Sequence, residues 1–121
     1  MYMNVNAEYG MSEEVSTKGD VYSFGVLLLQ MVTGRSPTDE RFTNGATLHE
    51  FVDRAFPKNI NEVIDPKILQ DDNNAADVME SCIIPLVIIS LACSMTSPKA
   101  RPEMGHVCKE MLRIKHEASN M

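Results

Sequence analysis

The sequence has only three cysteines, Cys82, Cys93 and Cys108, an odd count with no CxxC pair. That spacing supports neither a zinc cluster nor a closed disulfide framework, and points to reduced, buried thiols in a cytosolic setting. Basic charge is scarce as well: 11 Lys and Arg stand against 17 Asp and Glu, a net charge of −6. A chain of that sign is a poor match for a phosphate backbone, so nucleic-acid binding is not expected. The deficit is even, −3 in residues 1–60 and −3 in residues 61–121, and no charged tail stands out. The first ten residues lack the basic segment, apolar run and small-residue cleavage site of a signal peptide. The most apolar stretch, residues 83–93, is interrupted by Pro85 and Ser90. It falls short of the roughly 20 residues that span a bilayer, so direct membrane insertion is not expected. Catalytic signatures are missing too: there is no HExxH, GxSxG, GxGxxG or GxxxxGK[ST]. His49, His106 and His116 are scattered, and Asp71, Asp72 and Asp77 lack the spacing of a calcium loop, so no metal is assigned.

What is there is ordinary globular material. With 121 residues, 44% hydrophobic and 23% charged, the composition suits one folded unit. Ser16 and Thr17 offer caps for a helix carrying Val21, Phe24, Val26, Leu27, Leu28, Leu29, Met31 and Val32, with Gly34 as its stop. Four consecutive aliphatics, Val26 to Leu29, leave no solvent stripe, so this helix is expected to be the hub of the core. Residues 35–46 read as a loop with Pro37, Asn44 and Gly45, after which Thr47 caps a short helix with Leu48, Phe51, Val52 and Ala55. Pro57 closes it. One further turn is expected around Val63 and Ile64, broken at Asp65-Pro66. Residues 75–95 form one bent helix or two abutting ones, with Pro85 near the middle. Pro102 is expected to open a last helix that buries Met104, Val107, Met111, Leu112 and Ile114. Strand signals are nearly absent. The expected fold is mainly α, four to six helices with no substantial sheet.

One segment is far more specific. Lys18-Gly19-Asp20-Val21-Tyr22-Ser23-Phe24-Gly25-Val26-Leu27-Leu28-Leu29, followed by Thr33-Gly34-Arg35-Ser36-Pro37, resembles the central helix of the C-terminal (large) lobe of protein kinases. The version is that of plant leucine-rich-repeat receptor-like serine/threonine kinases. Upstream, Ala7-Glu8-Tyr9-Gly10 resembles the end of the activation segment, where kinases carry Ala-Pro-Glu. Downstream, Cys93-Ser94 and Ser97-Pro98-Lys99-Ala100-Arg101-Pro102-Glu103-Met104 resemble the loop and final helix of the same lobe. Phe51-Val52-Asp53 and Val63-Ile64-Asp65-Pro66 fall between them in the same order. The resemblance covers residues 7–117, with residues 1–6 divergent and 118–121 a tail.

The resemblance implies roles for individual residues. Asp20 matches the aspartate that accepts hydrogen bonds from the backbone of the catalytic loop. Glu8 and Arg101 match a buried ion pair tying the activation segment to the last helices. Gly25 matches a point of close helix packing, and Tyr9 and Gly10 lie by the substrate groove. The sequence departs from the pattern at Ala7, which stands where the family has proline, and at residues 1–6. Those six residues suggest a truncated gene model, an alternative first exon or a pseudogene. The glycine-rich loop, the strand lysine and its glutamate, H-R-D and D-F-G all lie upstream in the family and are absent from these residues. The resemblance therefore implies ATP and magnesium in an intact parent and neither in this chain, which is expected to be catalytically inactive alone. Its implied partner is the upstream part of a kinase domain, with protein substrates or another kinase beyond that. The parent is expected at the plasma membrane with the kinase domain on the cytoplasmic side, and this chain alone in the cytoplasm. The alternative is a catalytically dead helical module that binds a signalling partner.

Overall fold

Four helices and three short 3-10 turns account for the described residues, with no strand among them. A computed structural model describes residues 10–40, 42, 47–69 and 75–120, with side chains described from Thr17 onward. The helices are α1 (Gly10–Thr33), α2 (Leu48–Ala55), α3 (Ala75–Cys93) and α4 (Met104–Ser119). The mainly α expectation is met at the low end of the predicted helix count.

The first helix begins earlier than its sequence suggests. It runs 24 residues, so Ser16 and Thr17 lie inside it, because no proline intervenes to break the backbone bonds before them. Its end is where expected: Gly34 takes φ +70°, a left-handed conformation open to glycine, and donates to the Gln30 carbonyl at 2.8 Å. Any β-carbon at Gly34 would also meet the Asp65 carboxylate at 2.5 Å. Asp65 returns the chain to α1, its N–H donating to Val32 O at 2.8 Å.

Helix α1 packs most extensively on α3, and the pair divides the core in two. On one side Leu29 and Val32 meet Leu48 and Val52 of α2, Ile60, Val63 and Ile64 of the connecting turns, and Ile83, Val87 and Leu91 of α3. On the other, Val21 and Leu28 meet Ile89, Cys93 and Val107. The hub expectation is corrected in one respect. Helix α1 is not enclosed all round among the described residues: Leu27 is 50% and Met31 63% exposed. Described neighbours cover one side of the helix only, so the four consecutive aliphatics are split between core and surface.

Helix α2 starts as read. Thr47 Oγ1 accepts from Glu50 N at 3.0 Å, and Glu50 Oε1 accepts from Thr47 N at 2.9 Å, a reciprocal cap. The following segment forms two turns instead of one, Ile60–Glu62 and Pro66–Ile68, since Pro66 with its fixed φ begins a fresh turn capped by Asp65. Helix α3 is continuous, and its irregularity sits ahead of Pro85: Met79–Ile83 is π-helical, with Ile84 N–H donating to Met79 O. Proline has no N–H and its ring clashes with the carbonyl four residues back, so a wider turn just upstream accommodates it. By length and composition the whole of α3 is long and apolar enough to cross a membrane, a test that the core helix of a soluble protein also passes. Its Val87, Ile89, Leu91 and Cys93 are buried in the two core clusters.

The last helix begins at Met104, two residues after Pro102. Glu103 remains extended (φ −73°, ψ 150°), and its carboxylate lies 3.1 Å from Lys18 Nζ in place of capping the helix. Val107 and Ile114 are buried, with Met104 and Met111 packed at the edge of the same cluster. Leu112 is 65% exposed, against expectation, because the 3.6-residue period carries it off the stripe formed by 104, 107, 111 and 114.

Candidate functional site

Arg101, one of the residues singled out by sequence, meets the middle of α1 from the segment linking α3 to α4. Arg101 is the centre of that junction. Its Nε donates to Met95 O at 2.8 Å, Nη2 to Thr96 O at 3.1 Å and Nη1 to Lys18 O at 3.0 Å. The guanidinium also lies over the Tyr22 ring, 4.7 Å from its centroid. One planar side chain thus gathers the turn that leaves α3 and pins it to α1. Glu8, its implied partner, and Tyr9 lie outside the described residues, and Gly10 is the first residue of α1.

Gly25 is buried on the α1 face that meets the end of α3. A β-carbon there would lie 2.6 Å from Cys93 Cβ and 2.8 Å from Ser94 N. The two helices approach as closely as they do because position 25 carries no side chain. Asp20 sits in the middle of α1, half-buried, and among the described residues its carboxylate makes no hydrogen bond or ion pair. It shares a helical face with Leu27 and Met31, at i, i+7 and i+11, and both of those apolar side chains are exposed.

Two contacts here were not read from sequence. Lys18 Nζ donates to Arg101 O at 2.8 Å while pairing with Glu103. His49 Nδ1 lies 2.7 Å from Ser94 Oγ, joining α2 to the end of α3. Ser94 Oγ also lies 2.8 Å from Ser90 O, so with its one proton donated there the imidazole bears its proton on Nδ1 and donates to the hydroxyl. Tyr22, Val26, Leu48, His49 and Ser94 line a groove of about 280 Å³ between α1 and α2. His49 and Ser94 are 45 positions apart, and no periodicity in the chain relates them. Lys18 adjoins the Gly19-Asp20 motif, and only its contact with a residue 83 positions away reveals a role.

No group of three or more His, Cys, Asp or Glu side chains gathers among the described residues. Burial raises the Cys93 thiol from 9.0 to about 11, so it is neutral at physiological pH. Because the folded value is the higher one, the stability gained from burying this neutral thiol is complete below pH 9 and is lost as pH rises through about 11. Iodoacetamide at pH 8 is expected to alkylate exposed Cys108 and to leave buried Cys93 intact until denaturant is added. Mass spectrometry of the digest checks this.

Comparison with known proteins matches the sequence to a protein kinase family. The family model for protein tyrosine and serine/threonine kinases matches residues 3–111, which includes four of the six residues that the motifs set apart. A leucine-rich repeat receptor-like serine/threonine-protein kinase of Arabidopsis thaliana is 37% identical over 113 residues, covering 89% of this chain and 12% of the relative. A receptor kinase-like protein of Oryza sativa subsp. japonica is 32% identical over 122 residues, covering 94% of this chain and 12% of the relative. A leucine-rich repeat receptor protein kinase of Arabidopsis thaliana is 34% identical over 110 residues, covering 88% of this chain and 9% of the relative. The chain spans about a tenth of the length of these relatives. With nine-tenths of its residues inside the family match, the chain belongs to the protein tyrosine and serine/threonine kinase family.

Proposed function

We propose that these residues form the C-terminal part of the large lobe of a receptor-like serine/threonine kinase and serve it as scaffold and substrate-facing floor. The observation that carries this reading is the Asp20 carboxylate, without a partner among the described residues, on the face of α1 that also exposes Leu27 and Met31. A half-buried acid without a donor is costly, and an apolar strip beside it is unfavourable in water. Backbone N–H groups of a catalytic loop, laid along this face, relieve both. The parent would transfer the γ-phosphate of ATP to Ser or Thr hydroxyls, with its kinase domain on the cytoplasmic side of the plasma membrane. Glu8 would meet Arg101 there, and Tyr9 and Gly10 would border the substrate groove.

The 121 residues do not by themselves offer the means of phosphoryl transfer. That chemistry relies on a phosphate cradle, metal-holding acids and a base held in register. Among the described residues no three His, Cys, Asp or Glu side chains gather, and no catalytic step is assigned to them. The test is a pair of chains, this one and one extended through the upstream kinase region. Calorimetry with millimolar ATP and magnesium is expected to show no isotherm for the 121 residues and a clear one for the longer chain. In the longer chain Asp20→Asn is expected to reduce phosphoryl transfer about tenfold or more, the cost of about one charge-assisted hydrogen bond. Nucleotide binding by the short chain would overturn the assignment. The exposed strip also suits a second reading, a helical module that docks on a kinase, which a sharp cooperative melt of purified monomer would favour.

A further inference from the structure

We propose that Lys18 is a positioning residue that pre-sets the Arg101 guanidinium for an acidic partner. The idea rests on the kinase reading for the identity of that partner, Glu8, and on the geometry alone for the rest. Lys18 and Arg101 bind each other reciprocally. Lys18 Nζ donates to the Arg101 carbonyl at 2.8 Å, and Arg101 Nη1 donates back to the Lys18 carbonyl at 3.0 Å. The Arg101 carbonyl sits at the end of the Pro98–Ala100 turn, where backbone acceptors lack a helical partner. An ammonium placed there fixes the main chain of the residue whose side chain matters.

The side chain is fixed from the same source. Tyr22 is one helical turn beyond Lys18, on the same face of α1, and its ring carries the guanidinium at 4.7 Å. Arginine has five N–H donors, and here three are assigned to the carbonyls of Met95, Thr96 and Lys18. Two remain, on Nη1 and Nη2, available to a carboxylate. The Lys18 side chain is only 19% exposed, and Glu103, 3.1 Å from Nζ, balances its charge at the solvent edge. Without the Lys18 side chain the turn keeps the Arg101 Nη1 bond to α1 but loses the Nζ bond that fixes the Arg101 main chain. An incoming acid would then have to order that main chain, a cost that pre-organisation removes.

Hydrogen exchange of the Arg101 Nε–H, followed by NMR in this chain, tests the proposal without any need for catalysis. A failure of the nucleotide experiment is therefore distinguishable from a failure here. Lys18→Met is expected to speed that exchange about tenfold, as for loss of about one hydrogen bond's worth of order. The backbone amides of Val87 and Leu91 should keep their rates, and Lys18→Arg should restore most of the protection. Should Lys18→Met not fold, Glu103→Gln serves, with an expected rise of about threefold because an exposed ion pair contributes less. An unchanged Nε–H rate in the variant that folds would overturn the proposal. So would an equal acceleration at Val87 and Leu91, since Lys18 would then be a general stabiliser with no special hold on Arg101.

Discussion

Gly25→Ala is expected to destabilise the chain by about 2 kcal/mol, and to lower its melting temperature by roughly 10 °C, although alanine is the better helix former by about 1 kcal/mol. The reason is what the new methyl would strike. Cys93 Cβ at 2.6 Å, Ser94 N at 2.8 Å and Cys93 C at 3.0 Å are backbone or backbone-anchored atoms that no rotamer change can move aside. Relief requires α1 and α3 to separate, and both core clusters are built across that pair. Two internal controls isolate the effect. Gly19 and Gly105 have nothing within 4 Å of an added β-carbon, so Gly19→Ala and Gly105→Ala should each stabilise by about 0.5 to 1 kcal/mol. Thermal melts followed by circular dichroism decide the matter: if Gly25→Ala melts with the controls, the close approach of the two helices has no energetic weight.

Arg101→Leu is expected to cost about 2 to 3 kcal/mol, from three hydrogen bonds worth roughly 1 kcal/mol each and a cation–π contact worth about 0.5 to 1. The sum is held down because the carbonyls of Met95 and Thr96 lie at the surface, where water can replace the lost donors. Arg101→Lys should recover less than half, since an ammonium keeps the charge but cannot reach carbonyls on three sides in one plane. Urea melts of the three proteins check the order Arg, Lys, Leu. Equal stability of the Lys and Arg forms would mean that charge, not the planar fork, holds the junction.

Much of this was legible in the chain. Gly34 ends α1 and Thr47 opens α2 because each rule is local: one residue supplies a left-handed turn, the other a side-chain oxygen. Motif order around Asp20, Gly25 and Arg101 placed them in one family, and the junction brings Arg101 against α1. What was hidden is non-local. Ser16 and Thr17 have good capping chemistry, yet the helix continues through them. Pro102 has the right φ for a first helical residue, yet Glu103 is drawn toward Lys18 and stays extended. Four aliphatics in a row announce burial without saying on which sides neighbours stand, and Leu27 shows the difference. His49 and Ser94, or Lys18 and Arg101, meet only once helices are packed.

The π segment in α3 carries a lesson about bookkeeping along a helix. A wide turn holds roughly one residue more than a regular one, so the angular phase of everything before Met79 is offset by about 100° from that of the residues after Ile83. Val78, five positions ahead of Ile83, can therefore reach the same cluster as Ile83, Val87 and Leu91, which are four apart. A single wheel drawn through all of α3 blurs its apolar side. Two wheels, with one position skipped between them, bring it back into focus, and a relative one residue shorter in this stretch would keep its contacts only by giving up the bulge.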